Sequence, residues 1–392
     1  MSADFKRLGA STVFSSVSFG GDFVLLGWAA LEIGGSVDRV GIAFAIYYLP
    51  MLLLGVPAGG IADRFGRFQL LRSIECLIAC ALVILALIFA AAQSGFWQVV
   101  LFALAVGGLR ALYFPTRLSY TYDLAGSEQA RAALAGMNVA VRLGMIPGTL
   151  LVGWTAEHYG MSAALLLMAM ASLCAFVTLG RRPVNPTSHT PDPTPIVENL
   201  RQSLIEVTRN RLLGALILIT ALVEIFGYSF ATMIPSLEAE RLDIGVEALG
   251  WINAAQAAGG GLAGIALFLL PPMRRVGGAF FATVCAFGLC VIVLGASYQL
   301  TTILLVMAML SATVVVWDVF TQTMMQHAVP EHLRGRAMGA WVVAIGCAPL
   351  GHLEIGFLAL VVGSSVALYL NGAVVVLVAI AFLVLTPALR RL

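Results

Sequence analysis

Apolar runs long enough to cross a bilayer recur along the whole chain, separated by short polar breaks. A hydrocarbon core of roughly 30 Å is spanned by about 20 apolar residues in a helix. Reading runs against breaks predicts twelve such helices, at 10–33, 40–61, 71–93, 97–122, 132–155, 162–180, 211–235, 246–270, 279–297, 301–327, 336–361 and 365–387. The second run has no Asp, Glu, Lys or Arg between residues 40 and 62. Composition agrees: 60% hydrophobic and 11% charged residues, with a mean hydropathy of +0.97, could not give a soluble globule a hydrated surface. The expected class is an all-α polytopic membrane protein embedded in a lipid bilayer.

Net charge is only +2, which gives no reason to expect a nucleic-acid partner, but the positive residues are unevenly placed. With the N-terminus inside, the cytoplasmic breaks and span ends carry most of the basic residues, from Lys6 and Arg7 through Arg64, Arg67, Arg117, Arg181, Arg274 and Arg334 to Arg391. The opposite side carries Arg39 and Arg241. This positive-inside bias predicts cytoplasmic termini at both ends. Lys6 and Arg7 precede a first span long enough to remain as an anchor, so no cleavable leader is expected. Between Arg181 and Asn210, five prolines among Ser, Thr and Asn prevent regular helix and mark a linker. The predicted organisation is therefore a first six-helix domain at 1–180, a cytoplasmic linker at 181–210 and a second six-helix domain at 211–392. Within the linker, Ile196, Val197, Leu200, Leu204 and Val207 suggest a short helix lying along the membrane surface.

The two domains show internal repetition. At a constant offset of 203 residues, Glu128, Arg131, Gly136, Gly148 and Gly153 match Glu331, Arg334, Gly339, Gly351 and Gly356, all around the fifth helix of each half. Between the second and third spans lies the charged elbow Gly59-Gly60-Ile61-Ala62-Asp63-Arg64-Phe65-Gly66-Arg67. The pattern Gly-x-x-x-Asp-Arg-x-Gly-Arg resembles the loop 2–3 signature of the major facilitator superfamily. Three stretches are similar to the drug and siderophore exporters of the enterobactin-exporter type: Phe19-Gly20-Gly21-Asp22, Leu49-Pro50 through Arg67, and Val329-Pro330-Glu331-His332-Leu333-Arg334-Gly335-Arg336. Gly144-Met145-Ile146-Pro147-Gly148 with Gly153 resembles a worn form of the antiporter Gly-Pro motif, in a different order. The second half has Arg274 and Arg275 where a second elbow would fall, without the acidic partner.

The resemblance implies two pseudo-symmetric six-helix bundles around a central pathway lined by spans one, four, seven and ten. It further implies a monomeric transporter of the inner (plasma) membrane that exports a small amphiphilic molecule, a siderophore or drug, against an inward flow of protons. Charges inside spans are costly, about 3 kcal/mol each at mid-bilayer on insertion scales, and persist mainly where they are paired or face water. Asp22, Arg110, Glu224 and Asp318 fall one to each of those four spans. Asp22, Glu224 and Asp318 are the candidate proton-coupling residues. Arg110, Arg142, Tyr228, Gln256, Trp317 and Gln322 are the candidate substrate contacts. Asp22 and Arg110 have two readings, a switching pair or a permanent structural ion pair.

Gly59, Asp63, Arg64, Gly66, Arg67 and Asp123 are expected to form a conformational latch, with Asp63 meeting a helix N-terminus and Arg64 or Arg67 pairing with Asp123. Glu75, close to the elbow, is expected to pair with one of its arginines. Arg142 and Glu354, of opposite sign on related helices, would touch if both faced the interior, and His352 lies nearby. The chain has no phosphate-cradling loop, no nucleophile constellation and no cysteine–histidine cluster at metal-ligand spacing, so neither a cofactor nor an enzyme activity is expected. Two further readings of the same fold remain: a lysophospholipid flippase, whose family also carries a Gly-Asp pair in the first span, and a transport-inactive membrane receptor.

Overall fold

A computed structural model describes residues 3–54, 66–91, 95–180, 210–270, 276–329 and 334–391. In lipid a spanning backbone must satisfy its own hydrogen bonds, which leaves a helix as the form available to these isolated apolar runs. The helices are α1 (Ala3–Gly34), α2 (Val37–Leu54) and α3 (Arg67–Ala91), followed by a helical trace over Phe96–Leu179. That trace turns at Gly126 (φ 71°) and Gly160 (φ 81°), left-handed positions that favour glycine. The breaks divide it into α4 (Phe96–Gly126), α5 (127–160) and α6 (161–179). The second half holds α7 (Arg211–Leu242), α8 (Val246–Leu269), α9 (Gly277–Gly295), α10 (Leu300–Ala328), α11 (Arg334–Ile345 continued as Ala348–Val362) and α12 (Ser364–Leu385). Twelve spans are thus present among the described residues, and the linker and its amphipathic segment lie outside them.

The chain divides into two compact units. One draws on Met1–Gly35, Ile46–Pro193 and Ile244–Ala254, the other on Ser36–Ala45, Thr194–Asp243 and Ala255–Leu392. In the first, α1 presents a face of small residues, Ser11, Ser15, Ser18 and Gly21 among them, all buried. Close approach follows from that face: a Cβ on Gly144 of α5 would lie 2.0 Å from the carbonyl oxygen of Val13, and one on Gly148 would lie 2.4 Å from that of Val17. Helices in membranes associate through such small-residue contacts because lipid tails leave little hydrophobic drive between them. The last glycines of the sequence repeat serve alike. Gly153 meets Gly250 of α8 within the first unit, and Gly356 meets Gly41 of α2 within the second. Outward stripes are apolar at helical spacing, as in Leu166, Met170, Leu173 and Val177 of α6, a surface suited to lipid and not to water.

The seventh span differs from the sequence expectation, which ends it at 235. It continues to Leu242 by changing helical register: α over Arg211–Phe226, 3-10 over Tyr228–Met233, α over Ile234–Leu237 and π over Glu238–Leu242. Glu238, Glu240 and Arg241 look like a loop in sequence, but each end of the extension is tied to neighbours. Arg241 donates to the carbonyls of Leu294, Gly295 and Ser297 at the end of α9, where a cation complements the negative end of the helix dipole. Ser364, at the start of α12, donates to Glu240 at 2.7 Å. The N-terminus of α7 is fixed by Asn210, whose side chain accepts from the amides of Leu212 and Leu213 and donates to the Ala328 carbonyl of α10.

Candidate functional site

Within the first unit, α1, α2, α3 and α4 bring one cation and two acids together. Asp22 is fully buried and Arg110 is 2% exposed. The Nε of Arg110 donates to Asp22 Oδ2 at 2.9 Å, and the Tyr47 hydroxyl donates to the same oxygen at 2.9 Å. The other two guanidinium nitrogens donate to Ser15 (3.3 Å) and Ser18 (3.0 Å), and the guanidinium lies 5.4 Å from the centre of the Phe19 ring. Ser15, Ser18, Phe19 and Asp22 share a helical face of α1, so about two turns of helix supply most of the guanidinium's environment. The pair predicted between Asp22 and Arg110 is therefore present, with Tyr47, Ser15 and Ser18 as partners that sequence reasoning did not assign. The spacing of Ser15, Ser18 and Asp22 at i, i+3 and i+7 was the available signal.

Glu75 departs from the expectation. Arg67, the first residue of α3, is engaged by Asp123 of α4 at 2.5 Å and also donates to the Ser119 carbonyl. Glu75 instead turns inward beside Ser15 and Tyr113, in the field of Arg110. An inward turn is possible because α3 is buried along the face of Leu71, Ile74, Glu75, Ile78 and Leu82. Of the predicted latch, the Arg67–Asp123 pair is formed, and Gly66 (φ 78°) is the left-handed residue that starts α3. Gly59, Asp63 and Arg64 lie outside the described residues. Arg142 is half-buried on α5.

In the second unit, Glu224 of α7 is buried and Asp318 of α10 is half-buried. The charge that acts on Glu224 is that of Asp318. Trp317 is 1% exposed, with its indole Nε1 unpaired among the described residues, while Gln322 of α10, Gln256 of α8 and Tyr228 of α7 are half-buried. Tyr228 sits 6.0 Å from Phe230, ring centre to ring centre. Nearer the C-terminal end of α7, Asn371 donates to Glu354 at 2.9 Å and to Ser229 at 3.3 Å, so Glu354 is held by α12. His352 pairs through Nδ1 with the Thr232 hydroxyl at 2.8 Å and stacks on Phe44 of α2. No group of three or more His, Cys, Asp or Glu able to hold a metal occurs among the described residues.

Arranged this way, each unit holds acidic side chains out of water within its spans. The chain is 25% identical over 359 residues to the multidrug efflux pump Tap of Mycobacterium tuberculosis, covering 88% of this chain and 84% of that protein. It is 24% identical to the staphyloferrin A transporter of Staphylococcus aureus over 353 residues, 86% of this chain and 85% of that one. Among solved structures, a peptide transporter POT crystallised with sulfate superposes with a TM-score of 0.80 at 13% identity, over 99% of this chain and 95% of the other. The POT family transporter PepTSo gives 0.75 at 14%, over 99% and 98%. These two establish the fold. The family model of the Major Facilitator Superfamily matches residues 8–352, and with twelve spans in the matching fold the chain belongs to the major facilitator superfamily of membrane transporters.

Proposed function

We propose that this protein is a secondary active transporter of the plasma membrane that exports a small amphiphilic molecule, a hydrophobic drug or a siderophore, in exchange for protons. The two domains, 1–180 and 211–392, alternate access to a shared pathway, with both termini in the cytoplasm. The observation that carries this reading is the pair of acids on α7 and α10. Glu224 is 5% exposed, feels the like charge of Asp318, and has no cation beside it among the described residues. Two like charges in a low-dielectric setting repel, and a proton on Glu224 removes that repulsion. A site of this kind loads a proton from one side and releases it to the other when its exposure changes. Asp22 takes part in the first unit as the counter-ion that holds Arg110. Arg142 offers a cationic anchor to an acidic substrate, while Tyr228, Trp317, Gln256 and Gln322 supply apolar surface and hydrogen bonds. The efflux and siderophore-transport activities named for the two relatives support the substrate class.

The test uses the purified protein in liposomes with an imposed pH gradient and ethidium as the probe. Wild type is expected to move ethidium against its gradient and to dissipate the pH gradient in step, and Glu224→Gln is expected to abolish both. Full proton-driven transport by Glu224→Gln would overturn the coupling role. Translocation of lysolipid head groups without proton movement would replace the exporter reading with a flippase.

The elbow is proposed as the inner latch, with Gly59, Asp63, Arg64, Gly66 and Arg67 acting with Asp123. Arg67→Gln and Asp123→Asn are each expected to lower transport sharply while membrane abundance stays at the wild-type level. A double-mutant cycle on stability should return about 1 kcal/mol of coupling or more, since the pair is largely shielded from water. Independent effects of the two substitutions on transport would remove the latch.

A further inference from the structure

Glu75 is the buried acid that the mechanism above leaves unused. It is 0% exposed, and neither carboxyl oxygen has a hydrogen-bond partner among the described residues. The hydroxyls of Ser15 and Tyr113 lie beside it without closing a bond of ordinary geometry. The charged and titratable groups that act on it are Arg110, Tyr113 and Arg117 from α4, and Asp22 from α1 and Tyr47 from α2 act on the same Arg110. From α6, Phe176 faces Arg72 of Glu75's own helix. Arg110 is the cation nearest in effect to both acids, and its three guanidinium nitrogens are already committed to Asp22, Ser15 and Ser18.

Two acids and one buried cation have an unequal claim on a proton. Protonating Asp22 would strip Arg110 of its counter-ion in a site closed to water, which is among the most costly changes a protein interior can undergo. Protonating Glu75 leaves the Asp22–Arg110 pair intact and removes an uncompensated negative charge from an apolar setting. We propose that Glu75 is the proton-carrying residue of the first unit and that Asp22 is the fixed counter-ion that positions Arg110. Loss of the Glu75 proton to water leaves a carboxylate that competes with Asp22 for Arg110, and its return restores the pair seen here. The proton thereby sets whether Arg110 stays bound to α1. In transport this rests on the proton-coupled reading above, whereas the titration of Glu75 does not.

The experiment is infrared difference spectroscopy of the full-length protein in lipid nanodiscs, comparing acidic with alkaline buffer in the carboxylic-acid C=O stretching region. Wild type is expected to lose a protonated-carboxyl component on going to alkaline buffer. Glu75→Gln, which keeps shape and neutrality, is expected to delete that component. The charge-neutral double substitution Asp22→Asn/Arg110→Met is expected to retain it. A Glu75→Gln spectrum that superimposes on wild type, or a component that disappears only with Asp22, overturns the proposal. Should Glu75→Gln fail to fold, Tyr113→Phe and Ser15→Ala carry the test, because removing a neighbouring hydroxyl shifts the frequency of a protonated Glu75. An unshifted band in both variants counts against it. In parallel, Glu75→Gln in the ethidium liposome assay is expected to lose proton-driven movement. Wild-type liposomes that never couple ethidium to protons would overturn the transport reading and leave the infrared result to decide Glu75 by itself.

Discussion

Arg110→Met is expected to destabilise the folded protein by about 3–5 kcal/mol, the cost of leaving a buried carboxylate without its counter-ion. Asp22 is fully enclosed, so water cannot replace the guanidinium, and the Tyr47 hydroxyl provides one neutral donor where a cation stood. Ser15 and Ser18 lose their partner as well. Adding Asp22→Asn to Arg110→Met removes the orphaned charge and is expected to recover most of that loss, since exchanging a whole buried pair for neutral groups is often close to neutral. Thermal unfolding of the detergent-solubilised single and double variants measures both. A double variant as unstable as Arg110→Met alone would show that the guanidinium stabilises by packing over Phe19 and not by charge. Transport is expected to be lost in both variants, because the recovered stability does not restore a group that can change partners.

Gly148→Val is expected to be at least as damaging, by about 3 kcal/mol or more, and to reduce the amount of folded protein in the membrane. Overpacking usually costs about 1–3 kcal/mol where side chains can yield. Here the obstacle is backbone: the first atom of any side chain on Gly148 would lie 2.4 Å from the Val17 carbonyl oxygen and 2.6 Å from its Cα. Neither can move without separating α1 from α5, and α1 carries Ser15, Ser18 and Asp22 to Arg110. The control is Gly264→Ala on α8, where an added Cβ meets nothing within 4 Å. That change is expected to be neutral or to stabilise by up to about 1 kcal/mol through helix propensity. Fluorescence-detected size-exclusion profiles of the two variants compare them directly. A monodisperse Gly148→Val protein at wild-type yield would mean that α1 and α5 separate at little cost.

Much of the site was legible along the chain because lipid penalises isolated charge. Asp22, Arg110, Glu224 and Asp318 stood out as four costly residues in four spans, and the structure pairs the first two and sets Glu224 in the field of Asp318. The Arg67–Asp123 contact was one of two options that the elbow allowed. Glu75 was misplaced for an understandable reason. Its distance along the chain from Arg67 suggested a local pair, but helix rotation turned it to the buried face of α3, and Arg67 reached α4 instead. The end of α7 was cut short because Glu238, Glu240 and Arg241 look like a boundary when their partners on α9 and α12 are unknown.

Hydropathy acts on each segment separately, so the number of spans, their approximate limits and the family could be read from consecutive residues alone. Which face of a span turns inward, and which of several acids an arginine takes, depends on contacts between residues far apart in sequence. Arg110 reaches Asp22 across 88 positions, and only the packing of α1 against α4 and α5 decides that it does so and that Glu75 is left without a donor among the described residues. Helix rotation is set by small-residue crossings such as Val13–Gly144 and Val17–Gly148, where the closeness of two backbones is a property of the pair and of neither helix by itself.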